Sequence, residues 1–236
     1  MKELSLQLYS IKNYLKENGF DKTFETVSKM GYTGVEFYTF GEHSKEEMKA
    51  LLKKHNLKAV SAHAGDVTER PEFYIDYMSY LGAKYICCPY ANGDTKEVWL
   101  EKAKKLNEAG LQAENSGMKL SYHNHAHEFS MDFDGENPWD ILLNNAEHLY
   151  AQPDTYHVIS GGYDVYDVLE KYKDKIYTVH FKEITADKGE AAAGDGIIDF
   201  ARCLNILNDG TEVIYEYEGK NEIEDCAKAA KYLLSL

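Results

Sequence analysis

The chain has 236 residues, with 26 Lys and Arg against 40 Asp and Glu and a formal net charge of −14. Nucleic acid and anionic membrane surfaces call for cationic protein surface, so neither is an expected partner. Hydrophobic residues at 44% and charged residues at 28% fit a globular domain with a substantial core and exclude a disordered chain or a coiled coil.

The opening residues, Met1 to Ser10, lack the apolar run of a signal peptide, and no stretch of about 18 apolar residues marks a membrane span. Cys87, Cys88, Cys203 and Cys226 form no Cys-x-x-Cys pair. Reduced thiols and a cytoplasmic location are expected.

Leu4–Tyr9 reads as the first strand. Asp21–Met30 follows as a helix, with Phe24, Val27 and Met30 at helical spacing. Gly34–Tyr38 is the second strand, and Ser44–His55 the second helix, opened by the capping-box pair Ser44 and Glu47. Lys58–His63, Tyr85–Pro89 and Lys119–His123 are the next three strands. The helices Glu72–Leu81, Thr95–Ser116 and Pro138–Ala146 follow them, and Pro138 suits a first helical turn. Thr155–Ile159, Ile176–Phe181 and Glu212–Tyr217 read as the last strands, with helices over Val165–Tyr172, Phe200–Asn208 and Glu222–Leu236. Gly31, Gly82 and Gly117 each stand where a helix should stop before the next strand.

Eight strands alternating with eight helices call for a parallel sheet covered by helices, and in this length for a single-domain (β/α)8 barrel over residues 1–236. A doubly wound open sheet is the competing architecture. It would bring a glycine-rich phosphate loop after the first strand, where this chain has Gln7-Leu8-Tyr9-Ser10-Ile11-Lys12.

A parallel barrel carries its active site at the C-terminal ends of its strands. The polar residues there are Gln7, Glu36, His63, the run Tyr122-His123-Asn124-His125-Ala126-His127-Glu128, Asp154, His180 with Lys182, and Glu216 with Glu218. Side chains alternate along a strand, so His123 and His125 share a face, as do His180 with Lys182 and Glu216 with Glu218. Carboxylates combined with imidazole suit one divalent cation of the Mn, Co, Mg or Zn kind. Tyr9, Tyr38 and Tyr90 sit where they can shape a sugar pocket.

Four segments carry a family likeness: Gln7-Leu8-Tyr9-Ser10; Met30-Gly31-Tyr32-Thr33-Gly34-Val35-Glu36-Phe37; Tyr122 to Phe129; and Pro153 to Val158 with Gly161-Gly162 and Thr178 to Glu183. The loop Gly194 to Phe200 is of the same kind. The chain resembles the sugar phosphate isomerase/epimerase family, xylose isomerase-like TIM barrels that also include inosose dehydratases and type IV endonucleases. The resemblance implies Glu128, Asp154, His180 and Glu216 as metal ligands, with His125 or His123 competing with Glu128 at strand five. It implies a metal-assisted proton transfer beside the carbonyl of a sugar or sugar phosphate, with Glu128 and Glu216 as the catalytic pair. His63, His123, His125 and Lys182 would bind substrate, or Lys182 would be a solvated partner of Glu183. Glu36 would orient a neighbour, His127 would be structural, and His157 is left as an ordinary surface or core histidine.

Isomerase or epimerase is the main expectation. An inosose-type dehydratase or an enzyme splitting 3-keto-glycosides is the alternative, and a non-catalytic sugar-binding barrel the third. The endonuclease branch is excluded by the charge of −14. A homo-oligomer is left open.

Overall fold

The computed structural model describes residues 3–236. Met1 and Lys2, the first residues of the stretch read for a leader, lie outside them. In chain order, β1 (Ser5–Gln7) leads through a 3-10 turn into α1 (Lys12–Lys29), then β2 (Gly34–Phe37), α2 (Lys45–Lys54), β3 (Lys58–Ala62) and α3 (Pro71–Leu81). Next come β4 (Tyr85–Cys88), α4 (Lys96–Asn115), β5 (Lys119–His123), the single turn α5 (His127–Ser130), α6 (Pro138–Asn145) and β6 (Leu149–Gln152). The chain continues with α7 (Thr155–Ser160), α8 (Val165–Tyr172), β7 (Thr178–Phe181), a hairpin of β8 (Glu183–Ile184) and β9 (Glu190–Ala191), α9 (Phe200–Ile206), β10 (Glu212–Tyr215) and α10 (Glu222–Leu233).

One sheet runs β3-β2-β1-β10-β7 and another β4-β5-β6, with all these neighbours parallel. Single bridges between His63 and Cys87, Ala151 and Ile176, and Asp154 and His180 join the two sheets into a ring. The ring is the expected barrel of eight parallel strands. Its helices pack outside, burying Phe24, Trp99, Trp139 and Phe200.

The sixth strand differs from expectation. It is Leu149–Gln152, and Thr155–Ser160 is helical. A short β-branched run cannot tell strand from buried helix by pattern alone. The deciding contact is a cap: the Asp154 side chain accepts the backbone N–H of His157 and starts the helix. The true strand carries no β-branched residue and only Tyr150 favours a strand, so its propensity is weak. The first helix also begins earlier than its pattern, at Lys12, and is interrupted at Gly19, whose φ is 72°. Gly31, Gly82 and Gly117 all take positive φ, the left-handed geometry that ends a helix.

Helix α4 packs against the start of β6 through Gly110. A Cβ there would stand 2.1 Å from the His148 carbonyl oxygen. In an open helix Gly→Ala gains about 1 kcal/mol. Here Gly110→Ala is expected to lower stability by about 1–3 kcal/mol through overpacking, read by urea unfolding. A gain would show that the two elements can separate freely.

Candidate metal centre

The strand ends converge as the topology requires. His123 closes β5, Asp154 lies two residues past β6, His180 sits inside β7 and Glu216 follows β10. One donor atom from each lies within 4.8 Å of the others, and all four residues are buried. Two of them, His123 and Glu216, line a cavity of about 400 Å³ together with Tyr9, Tyr38, His63, His125 and Glu218.

Each member is held by its neighbours. Asp154 spends Oδ1 on the N-cap of α7, at 2.9 Å from the His157 nitrogen. Its Oδ2 is buried without a partner among the described residues, as is Nδ1 of His123. Such orphaned acceptors are costly unless something fills them. His180 lies between two carboxylates, Nδ1 at 2.5 Å from Glu216 and Nε2 at 2.6 Å from Glu36. Burial alone would lower its pKa, but Glu36 and Glu216 raise it to about 10. A proton on Nδ1 and a cation shared with Glu216 are alternative ways to neutralise the same acceptors. The other contact, imidazole to Glu36, is the carboxylate–histidine arrangement that orients a metal-binding ring.

Glu36 is itself clamped by Gln7 at 2.7 Å, Gln152 at 2.9 Å and His63 at 3.2 Å. Burial opposes its charge, yet His63 and His180 bring it down to about 2. It orients its neighbour, in keeping with the sequence expectation. Lys182 is 2% exposed, with Nζ at 2.5 Å from Glu218 and 3.5 Å from Glu216. It is therefore not a solvated partner of Glu183, whose carboxylate instead accepts the backbone N–H groups of Ile184, Gly194 and Ile198. Burial works against the ammonium, but Glu216, Asp154 and Glu218 keep it charged.

The buried set thus holds three carboxylates, Glu36, Asp154 and Glu216, against two cations, His180 and Lys182. The shortfall lands on Asp154. Burial, with Glu216 adding to it, raises its carboxyl to about 7 despite Lys182. His123, His125 and His157 are all pushed down, by burial first and by neighbouring cationic groups second. Neutral imidazoles keep a lone pair for a ligand. The unpartnered Asp154 oxygen, the missing positive charge and the mixed oxygen and nitrogen donors all fit a divalent cation.

Glu128, expected as the fifth-strand ligand, is not brought to this cluster. It accepts from the Tyr122 hydroxyl at 2.6 Å and from the His125 backbone at 2.8 Å. Tyr122 faces away from the barrel interior, near Trp139, because it alternates with His123 along β5. Glu128 follows it outward and ties down the loop after the strand. Its place beside Asp154, His180 and Glu216 is taken by His123. His63 is brought in, stacked 5.3 Å from His180. His125 lies at the cavity wall. His127 holds the Ala91 carbonyl at 2.9 Å, a structural contact.

His157 is the residue that sequence reading passed over. Its ring lies 4.7 Å from that of His125, and its Nδ1 is buried and unpartnered among the described residues. The Asp154-x-x-His157 spacing carried the signal, since an N-cap aspartate and the residue three later are neighbours. Misreading Thr155–Ile159 as a strand hid it.

All four cysteines are buried and free, and among the described residues no helix is long and apolar enough to cross a membrane. Comparison with known proteins agrees with this architecture. An inosose dehydratase of Clostridium perfringens strain 13 is 26% identical over 92% of this chain and 90% of its own length. A sugar phosphate isomerase/epimerase structure from Parabacteroides distasonis superposes with a TM-score of 0.85 at 20% identity, covering 100% of this chain and 99% of that one. The IOLI protein, solved with a bound zinc atom, superposes at 0.74 with 18% identity over 98% and 95%. The family model described as xylose isomerase-like TIM barrel matches residues 24–236. With eight parallel strands, a mouth of histidines and carboxylates and that match over most of its length, the chain belongs to the xylose isomerase-like TIM barrel family.

Proposed function

We propose that the chain is a divalent-metal-dependent lyase acting on a cyclic polyhydroxy ketone, of the inosose dehydratase kind. The observation that carries this is the His123, Asp154, His180 and Glu216 cluster, with its free Asp154 oxygen, reaching a cavity of about 400 Å³ through His123 and Glu216. The resemblance to inosose dehydratases supports it. A cation held there would act as a Lewis acid on the substrate carbonyl.

The residues supply the rest. Burial would raise the Glu216 carboxyl, but Lys182 and His180 hold it well below its usual range. Glu216, kept ionised in this way, is the group placed to take the carbon-bound proton beside the substrate carbonyl. Lys182 faces the same side and stabilises charge developing on a substrate oxygen. The neutral rings of His125 and His157 accept hydrogen bonds from substrate hydroxyls. Tyr9 and Tyr38, edge to face at 5.2 Å, offer an aromatic rim to the sugar C–H face.

Epimerisation needs a second acid–base group to return the proton from the opposite side. Glu128, the expected partner for that role, is turned onto Tyr122, whereas elimination runs on one group. Glu216 takes the α-proton and passes it to the departing β-hydroxyl, so the C–O bond breaks as the C=C bond forms and water leaves. Product NMR with keto-inositols and keto-sugars in deuterated water tests this: a dehydrated product supports the lyase, and an epimer with solvent deuterium beside the carbonyl overturns it. Exhaustive chelation is expected to abolish turnover, with recovery on adding Mn²⁺, Co²⁺, Zn²⁺ or Mg²⁺. Full activity in chelated protein with no detectable metal would remove the cation from the reaction.

A further inference from the structure

Beside the reaction cavity lies a second one of about 470 Å³, not used by the chemistry above. The two share Gly65 and Tyr90 as a common wall. Tyr90 is 52% exposed, yet its ring is backed edge-on by His125 at 5.3 Å and tilted against His127 at 5.2 Å. It is an aromatic face held between two basins. A Cβ on Gly65 would meet nothing within 4 Å, so this point of the shared wall has room for a larger side chain.

The polar lining of the second basin is Thr68, Glu69, Glu97, Glu101, Lys102 and Lys105. Lys105 approaches Glu101 at 3.9 Å. No carboxylate lies within salt-bridge reach of Lys102 among the described residues. Three carboxylates against two ammonium groups disfavour a phosphate or a carboxylate guest. Alternating acceptors and donors around an aromatic face suit a neutral polyhydroxylated ring, whose hydroxyls pair with both and whose C–H face stacks on Tyr90.

We propose that the substrate spans both basins: its reacting ring lies over the His123 cluster, and a second, neutral sugar ring attached to it occupies the Lys102 basin across Tyr90. This rests on the polyhydroxy-ketone reading, whose substrate it narrows from one ring to two.

The test uses Mn²⁺-loaded protein and calorimetry with unoxidised sugars, a methyl glucoside for one ring and a glucose disaccharide for two. The disaccharide is expected to bind at least about tenfold more tightly, a difference of about 1.4 kcal/mol. Gly65→Leu, which adds bulk to the shared wall, and Lys102→Met, in the second basin, should each remove most of that preference. Equal binding of the two sugars, no binding of either, or a preference that survives both variants overturns the proposal. A one-ring sugar phosphate binding more tightly than the disaccharide, with the gain lost in Lys102→Met, overturns it in favour of an anion site. Turnover of the keto forms separates the two readings. A disaccharide preference without turnover of any keto-sugar would sink the lyase and leave the second basin standing. Turnover of a keto-inositol without that preference would do the reverse.

Discussion

His123→Ala is expected to empty the centre of metal, whereas Glu128→Gln is expected to leave it filled. Metal content by elemental analysis and turnover on the same samples check the contrast. Loss of an outer partner of a metal site costs about 10- to 100-fold in affinity or activity, and loss of a donor should exceed that. His123 contributes one of the four donors within 4.8 Å, so its removal belongs to the larger class. Glu128 touches Tyr122 and the His125 backbone instead. Glu128→Gln keeps an acceptor for one of these donors and should cost stability of about 1–3 kcal/mol, with little change in metal content. If Glu128→Gln empties the centre while His123→Ala does not, the loop rearranges on metal binding and the strand-end cluster is not the ligand set.

The second large effect is expected at Lys182→Met. Removing the buried ammonium leaves Glu216 and Asp154 without their shared cation. Breaking a buried ion pair from one side costs about 3–5 kcal/mol, so the variant should unfold at clearly lower denaturant. Adding Glu216→Gln should restore part of that stability, because the uncompensated charge goes with it. The double variant then costs less than the two single changes summed, the signature of directly coupled groups. Additive losses would mean that Lys182 answers chiefly to Glu218, its nearer partner at 2.5 Å, and that the inner cluster balances its charge without it. Turnover should fall in both variants, since the proposed reaction uses both residues.

Much of this protein was legible in its amino-acid order. Alternation of apolar runs with helical periodicity called for the barrel, and the barrel placed His180 and Glu216 at its mouth. Asp154, which an expected strand over Thr155–Ile159 would put at the other end, came from the family resemblance. Val165–Tyr172 and Lys119–His123 appear with the boundaries their patterns suggest, because both have clear stops and a strong period. The capping box at Ser44 and Glu47 is formed as its spacing demands. These are local properties, set by backbone sterics and by which side chains must leave water.

Three things were decided only by the folded chain. Leu149–Gln152 becomes a strand because β5 and β7 supply edges on both sides, an environment that outweighs its weak intrinsic preference. Glu128 leaves the mouth because Tyr122 alternates outward and offers it a buried hydroxyl, a contact six residues away in sequence whose direction no spacing rule reveals. The charge state of the centre follows from Glu36, Asp154 and Glu216 sharing two cations in a space closed to water. Burial and Coulomb energy depend on distances in three dimensions, and those distances join residues as far apart in the chain as Glu36 and His180.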